Sequence, residues 1–473
     1  MRDRSLMRIR VAALCALGVA LAACGQKPGV HLAAQGQAGV DNPAPAVAPA
    51  PTVGPGEAVT GPVSDPTAGP AVGPVTTDPQ QPVGQPTAGP NEPAPGPRWQ
   101  VTGSDRTGVT DTTITLAAHA PVTGAAPLPA VVFEESADLY WRWLAHTTGE
   151  KVLGRDIEIV FQDDRYTPTT ARQVCRQLMQ VGFSITGVGA DGIAACAPLA
   201  EQLRVPYIAF GADEAALAGN PWYFAISATY PQQGDLWAQY VRANFPGQKV
   251  GAIAIDTVNW DAAVDAWEAG LGREGVVFSE ALRHPREGTD WYAPFARRLN
   301  DDGVQVVYAL TSPLHLIRFA QVARDNDFDF HLLYIAPGAL NGILENGCPA
   351  MGNATSFSTW PSLDVVDQLD PEFMQAVEEF DISRTNLDLS LALWGVNKYA
   401  HHLLAEYEAR YGRDLTREDF RAMVETLTVR TGLFPEQVYS PSNHFGTRPG
   451  VHVVTANCDR EIWENGGLFQ TSF

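Results

Sequence analysis

From Asp111 onward, two kinds of segment alternate along the chain. Short apolar, β-branched runs at Thr113–Ala117, Ile157–Phe161, Phe183–Val188, Val205–Phe210, Val250–Ile255, Val304–Leu310 and His331–Ile335 predict strands. Between them, Thr170–Val181, Pro231–Asn244, Asn259–Glu274 and Leu314–Asp325 carry apolar residues at helical spacing. This alternation predicts an α/β fold with parallel-type sheets covered by helices on both faces. Right-handed crossovers then put ligand sites at the carboxyl ends of the strands, near a topological switch point. The residues that follow the strands are Ala118–Gly124, Gly189–Gly192, Gly211–Glu214, Asp256–Trp260, Thr311–Pro313 and Ala336–Gly338. Small residues there let backbone amides approach a solute, and an aromatic ring offers a flat wall.

The first fifth of the chain lacks this pattern. All 43 Phe, Tyr and Trp lie from Trp99 onward, while 17 of the 36 prolines fall between Cys24 and Arg98. Without aromatic side chains to bury, that stretch is expected to build no core. Arg2, Arg4, Arg8 and Arg10 precede the apolar run Val11–Ala20, which is shorter than the ~20 residues a membrane span needs and suits a secretory signal. Leu21-Ala22-Ala23-Cys24 resembles the bacterial lipobox, so residues 1–23 are expected to be removed and Cys24 acylated. Residues 24–98, with Pro-Thr-Ala-Gly-Pro at both 66–70 and 86–90, read as a lipidated, disordered tether of polyproline and coil character.

The net charge of −21 changes the list of partners. An acidic surface repels phosphate backbones, so no nucleic-acid partner is expected. Catalytic signatures are thin. No G-x-S-x-G, H-E-x-x-H or C-x-x-C occurs, and the adjacent His401 and His402 diverge by about 100° on a helix, so neither an enzyme nor a metal site is expected. Gly187-Val-Gly-Ala-Asp-Gly192 does match a dinucleotide fingerprint, with Asp213 in the acidic position downstream. It follows the third predicted strand rather than the first, and Asp191 would face the pyrophosphate, so no cofactor is expected. Cys15 leaves with the signal and Cys24 takes the lipid, leaving four cysteines with three possible connectivities. Neighbouring helices favour Cys175–Cys196, and with it Cys348–Cys458.

Several segments together resemble the type I periplasmic-type binding proteins, the leucine and branched-chain amino acid binding group of ABC transporter substrate-binding lipoproteins. Ile114–Gly124 is similar to their opening strand and loop, Gly154–Asp164 to their second strand, and Glu287-Gly-Thr-Asp-Trp291 to their G-T-D-F segment. Leu391–Ala400 and Pro441–Gly450 extend the likeness. The resemblance implies two Rossmann-like lobes joined by three chain crossings, at 111–229 plus 338–437 and at 230–337 plus 438–473. It also implies solute capture between the lobes by a monomer and delivery to an ABC permease. The protein is then exported and held by lipid on the outer face of the cell membrane. A sensor clamshell without transport is the alternative.

Carried over loop by loop, the resemblance makes Thr123, Asp191, Gly192, Gly211, Ala212, Asp213, Asn259, Trp260 and Ser312 the candidate ligand contacts. Asp191 and Asp213 stand where amino-acid binders have small hydroxyl residues, and no acidic residue stands near Ala336–Gly338 to meet an ammonium. Two such anions would repel a carboxylate by several kcal/mol, which favours a cationic, amide-like or polyhydroxylated solute over a standard amino acid. Either aspartate has a second reading as a helix cap, and Trp260 as a core residue.

Overall fold

Two wound sheets, built to the same plan, carry the chain from Thr113 onward. The computed structural model describes residues 98–470 apart from 125–126, 213, 336–339 and 447. The signal sequence, Cys24 and nearly all of the tether lie outside the described residues. In the first sheet, β1 (Thr113–Ala120), β2 (Asp156–Asp163), β3 (Ser184–Gly187), β4 (Tyr207–Ala209) and β5 (Tyr223–Ala225) run parallel in the order β2-β1-β3-β4-β5. The second sheet repeats that winding with β6 (Val250–Ile255), β7 (Leu282–His284), β8 (Val306–Leu310), β9 (His331–Tyr334) and β10 (Ala354–Ser358). A two-stranded ribbon, β11 (Thr428–Val429) with β12 (Gln437–Val438), precedes β13 (Gly450–Asn457) and β14 (Ile462–Gln470). These last two strands add antiparallel to β10, giving the order β14-β13-β10-β9-β8-β6-β7.

Local chemistry explains the elements. β6 reads Val-Gly-Ala-Ile-Ala-Ile and β8 reads Val-Val-Tyr-Ala-Leu, and every residue of both is buried, as parallel strands covered on both faces require. The helix Tyr230–Asn244 opens with a reciprocal Thr229–Gln232 capping box, and the helix Pro313–Asp325 with Ser312 as cap and proline in its first turn. Each strand segment expected from the sequence overlaps an observed strand, with β1 and β2 running beyond the expected bounds.

The division between the lobes differs from the sequence expectation at one crossing. The second sheet does not end near residue 338 but continues through β10 to Ser358, and the helix Asn341–Gly347 packs on Pro313–Asp325 and β14. The apolar pattern misses this because Ala354-Thr-Ser-Phe-Ser358 has only two apolar residues, yet all five are buried. The chain therefore passes between lobes after β5, after β10 and between β12 and β13. Cys175 pairs with Cys196 across two neighbouring helices, and Cys348 with Cys458 across the second lobe, at Cα separations of 5.8 and 5.4 Å.

Candidate functional site

The winding order reverses between β1 and β3 in the first sheet and between β6 and β8 in the second, so these strand ends define a crevice in each lobe. Asp191, in the first turn of the helix Ala190–Leu203, comes from the first lobe and is only 2% exposed. Its Oδ2 lies 2.5 Å from Nη2 of Arg286, which stands two residues beyond β7 in the second lobe. One ion pair thus spans the space between the lobes. Gly189, not an aspartate, occupies the cap position of that helix, and no side chain caps it.

Arg286 is held from several sides. Its Nη2 also lies 3.4 Å from the Thr257 hydroxyl, and its carbonyl accepts a hydrogen bond from His315 Nε2 at 2.9 Å. His315 Nδ1 in turn lies 2.7 Å from the Tyr292 hydroxyl, so the ring is hydrogen-bonded at both nitrogens. Nearby, His284 stacks on Trp291 at 3.9 Å, and burial pushes its pKa down to about 4. These two imidazoles frame the strand ends that present the guanidinium.

Beside this pair is a recess of about 310 Å³, walled chiefly by the second lobe through Ile255, Thr257, Trp260, Arg286, Glu287, Thr289, Tyr292, Ser312, Leu314 and His315, with Tyr166 from the first. Trp260 combines the two roles considered for it: it is only 6% exposed and stacked on Tyr230 at 4.4 Å, yet it still forms part of the wall. Ser312 caps its helix by accepting from His315 N at 3.4 Å and also lines the recess. Burial, reinforced by Asp191, raises the Tyr166 and Tyr230 phenols above their ordinary range, so both stay protonated donors.

The other candidates are engaged elsewhere. Thr123 is exposed and donates to Asp163 Oδ2 at 2.5 Å, with the amides of Val122 and Thr123 on Oδ1 of the same carboxylate. The Gly211 amide donates to Ser227 Oγ at 2.8 Å, and the Ala212 carbonyl accepts from Tyr230 N. Neither these residues nor Gly192 line the recess. Asp213, the Asn259 side chain and residues 336–339 lie outside what the structure describes.

The glycines of the dinucleotide-like motif have a structural origin. His119, Asp164 and Tyr207 form a buried chain, with Nδ1 2.6 Å from Asp164 Oδ2 and Nε2 2.7 Å from the Tyr207 hydroxyl. A Cβ at Gly187 would stand 2.2 Å from His119 Nε2, and one at Gly192 would stand 2.7 Å from Asp164 Oδ2. Gly189 has φ of +92° and faces the Tyr166 ring. The motif makes room for protein atoms. His119 also lies near Cys175 and Cys196, the one cluster of possible metal ligands among the described residues, but those sulfurs are bonded to each other. His401 is engaged by the Tyr140 hydroxyl at 2.7 Å.

Sequence reasoning passed over Arg286, Tyr166, Tyr292 and His315. A signal for Arg286 was present, since it immediately precedes the Glu287–Trp291 segment that carries part of the family resemblance. Asp191 also changes meaning, because Arg286 answers the negative charge that was expected to repel carboxylates.

Comparison with known proteins agrees with this architecture. No match is found among curated protein sequences. The fold is shared with a fatty acid ABC transporter substrate-binding protein from Thermomonospora curvata, at 18% identity and a TM-score of 0.64, covering 78% of this chain and 94% of that one. It is shared too with a branched-chain amino acid ABC transporter protein from Thermus thermophilus solved with valine, at 12% identity and a TM-score of 0.65, covering 77% and 98%. A third is a solute-binding protein from Rhodopseudomonas palustris BisB5 in complex with 3,4-dihydroxybenzoic acid, at 18% identity and a TM-score of 0.61, covering 76% and 98%. The family described as Periplasmic binding protein matches residues 113–460. With most of its length matched and two lobes of the type I plan, the chain belongs to the periplasmic binding protein family.

Proposed function

We propose that this protein is an exported, lipid-anchored solute-binding protein that captures a small molecule between its lobes and hands it to an ABC-type importer. The observation that carries the reading is the Asp191–Arg286 pair, which joins strand ends of opposite lobes beside a walled recess. Closure over a solute is then a shift toward the form in which both lobes touch it. Trp260 and Ser312 serve as ligand contacts from the second lobe and Tyr166 from the first. Membership of a family of solute binders supports capture over catalysis. Of the relatives of the same fold, one is described with bound valine, one in complex with a dihydroxybenzoic acid and one as the substrate-binding protein of a fatty acid transporter, which supports capture of a small organic solute. Cys24 carries the anchor, and the Pro/Gly-rich segment 25–98 lets the binding unit range from the membrane.

The test is a thermal-shift screen of the full chain across amino acids, amides, polyamines, sugars and organic acids, followed by small-angle scattering with each hit. A solute that raises the melting temperature and compacts the protein is the expected result. Hits that bind Trp260→Ala and wild type equally, with no compaction, would remove the cleft as the capture site.

A further inference from the structure

We propose that the recess is built for an organic carboxylate without an ammonium group, and that Arg286 is the residue that selects it. The proposal rests on the solute-capture reading and deepens it. Arg286 bears the one fixed positive charge among the described residues that line the recess, and its side chain is 42% exposed. A guanidinium has five N–H donors in a planar fork. Here the contacts to Asp191 and Thr257 both involve Nη2, so Nε and Nη1 have no acceptor among the described residues. A planar carboxylate matches such a fork through two parallel, charge-assisted hydrogen bonds.

Asp191 does not line the recess, and its charge is already met by Arg286. It orients the guanidinium from the opposite lobe and is not presented to a ligand cation. Glu287 does line the recess, but it is exposed and screened by water. The described residues that line the recess thus include no buried carboxylate to meet an ammonium. Around Arg286, the hydroxyls of Thr289 and Ser312 extend the polar rim, while Trp260 and Leu314 provide an apolar wall. Leu314 is 61% exposed at the start of its helix, apolar surface that the body of a ligand would cover. The volume of about 310 Å³ is at the small end of ligand sites, which run from ~300 to 1,000 Å³.

The test is calorimetric titration of the full chain with two matched sets: hexanoate, hexanamide and norleucine; benzoate and benzamide. Expected are acids that bind at least about tenfold tighter than the amides and norleucine, the size of one charge-assisted pair. Arg286→Gln should weaken acid binding by about ten- to a hundredfold and erase the preference for acid over amide, and Arg286→Lys should restore little because the fork is lost. Amides or norleucine binding as tightly as the acids, or acids binding Arg286→Gln undiminished, would overturn the assignment while leaving solute capture in place. Absence of acid binding at about 10 mM, weaker than the millimolar range of the poorest specific ligands, would overturn it as well. Only the additional failure of every solute in the wider screen would remove the capture reading itself.

Discussion

Gly187→Ala adds one methyl group to the last residue of β3. Its carbon would lie 2.2 Å from His119 Nε2, 2.6 Å from Cε1 and 2.7 Å from the Tyr207 hydroxyl. Carbon needs about 3.5–4.0 Å from a non-bonded neighbour, so the ring or the strand must move by more than an ångström. Neither is free to do so. His119 is 1% exposed and Tyr207 fully buried, and the imidazole is bonded at both nitrogens. Overpacking a filled core costs about 1–3 kcal/mol. Pushing His119 off Tyr207 leaves a buried polar group unpaired, at about 1–3 kcal/mol more. The sum, about 2–6 kcal/mol, is a large part of the ~5–15 kcal/mol by which domains are stable.

The assay is urea unfolding followed by tryptophan fluorescence, with two companion variants. Gly192→Ala meets a single carboxylate oxygen at 2.7 Å and should cost less than Gly187→Ala. Gly272→Ala has open space around its Cβ within a helix and should gain about 0.5–1 kcal/mol. A phosphate cradle would require the reverse pattern, with unchanged stability and lost nucleotide binding. Equal unfolding midpoints for Gly187→Ala and Gly272→Ala would refute the packing argument.

Three further outcomes are expected. Removing the Cys348–Cys458 bridge, which closes 110 residues, should cost more than removing Cys175–Cys196, which closes 21; chain entropy puts the two near ~4.7 and ~3 kcal/mol, measurable by denaturation of the paired Cys→Ala variants. Burial holds His284 and His452 at about 4, below their unfolded value, so the unfolded chain takes up more protons as pH falls. Stability should therefore be full above pH ~6.5 and decline toward pH 4, and His452→Gln, which can keep a donor to the Leu433 carbonyl, should flatten the urea-midpoint profile. A chain starting at Thr107 loses Asp105, the partner of Arg417 at 3.0 Å, and the donors from Thr102 and Gly103 to Asp419. Arg417 is 3% exposed, so this truncation should cost about 3–5 kcal/mol relative to one at Arg98, read as a lower melting temperature.

The parts of this molecule that were legible in its sequence are those whose physics is local. β6 and β8 show as apolar runs because both their faces are covered, and the helix at Pro313 shows because Ser312 and the proline sit next to what they cap. β5 and β7 span only Tyr223–Ala225 and Leu282–His284, too short for any period to emerge, and they exist because β4 and β6 are there to pair with them. The loss of β7 had a consequence for chemistry, since that strand delivers Arg286. Without it, Asp191 read as an uncompensated anion, and the inference that it repels carboxylates followed correctly from an incomplete set of charges. A charge can be read from one position in a sequence, whereas its counter-charge here comes from the opposite lobe, through a contact that only the folded chain makes. The glycines at 187, 189 and 192 show the same asymmetry. Their spacing is local and invited a phosphate, but what occupies the space they leave is His119, Tyr166 and Asp164, side chains set by strands and loops elsewhere in the first lobe. Arg286 meets Asp191 through one nitrogen and turns its remaining donors to the recess, the division of labour that titration of hexanoate against hexanamide tests.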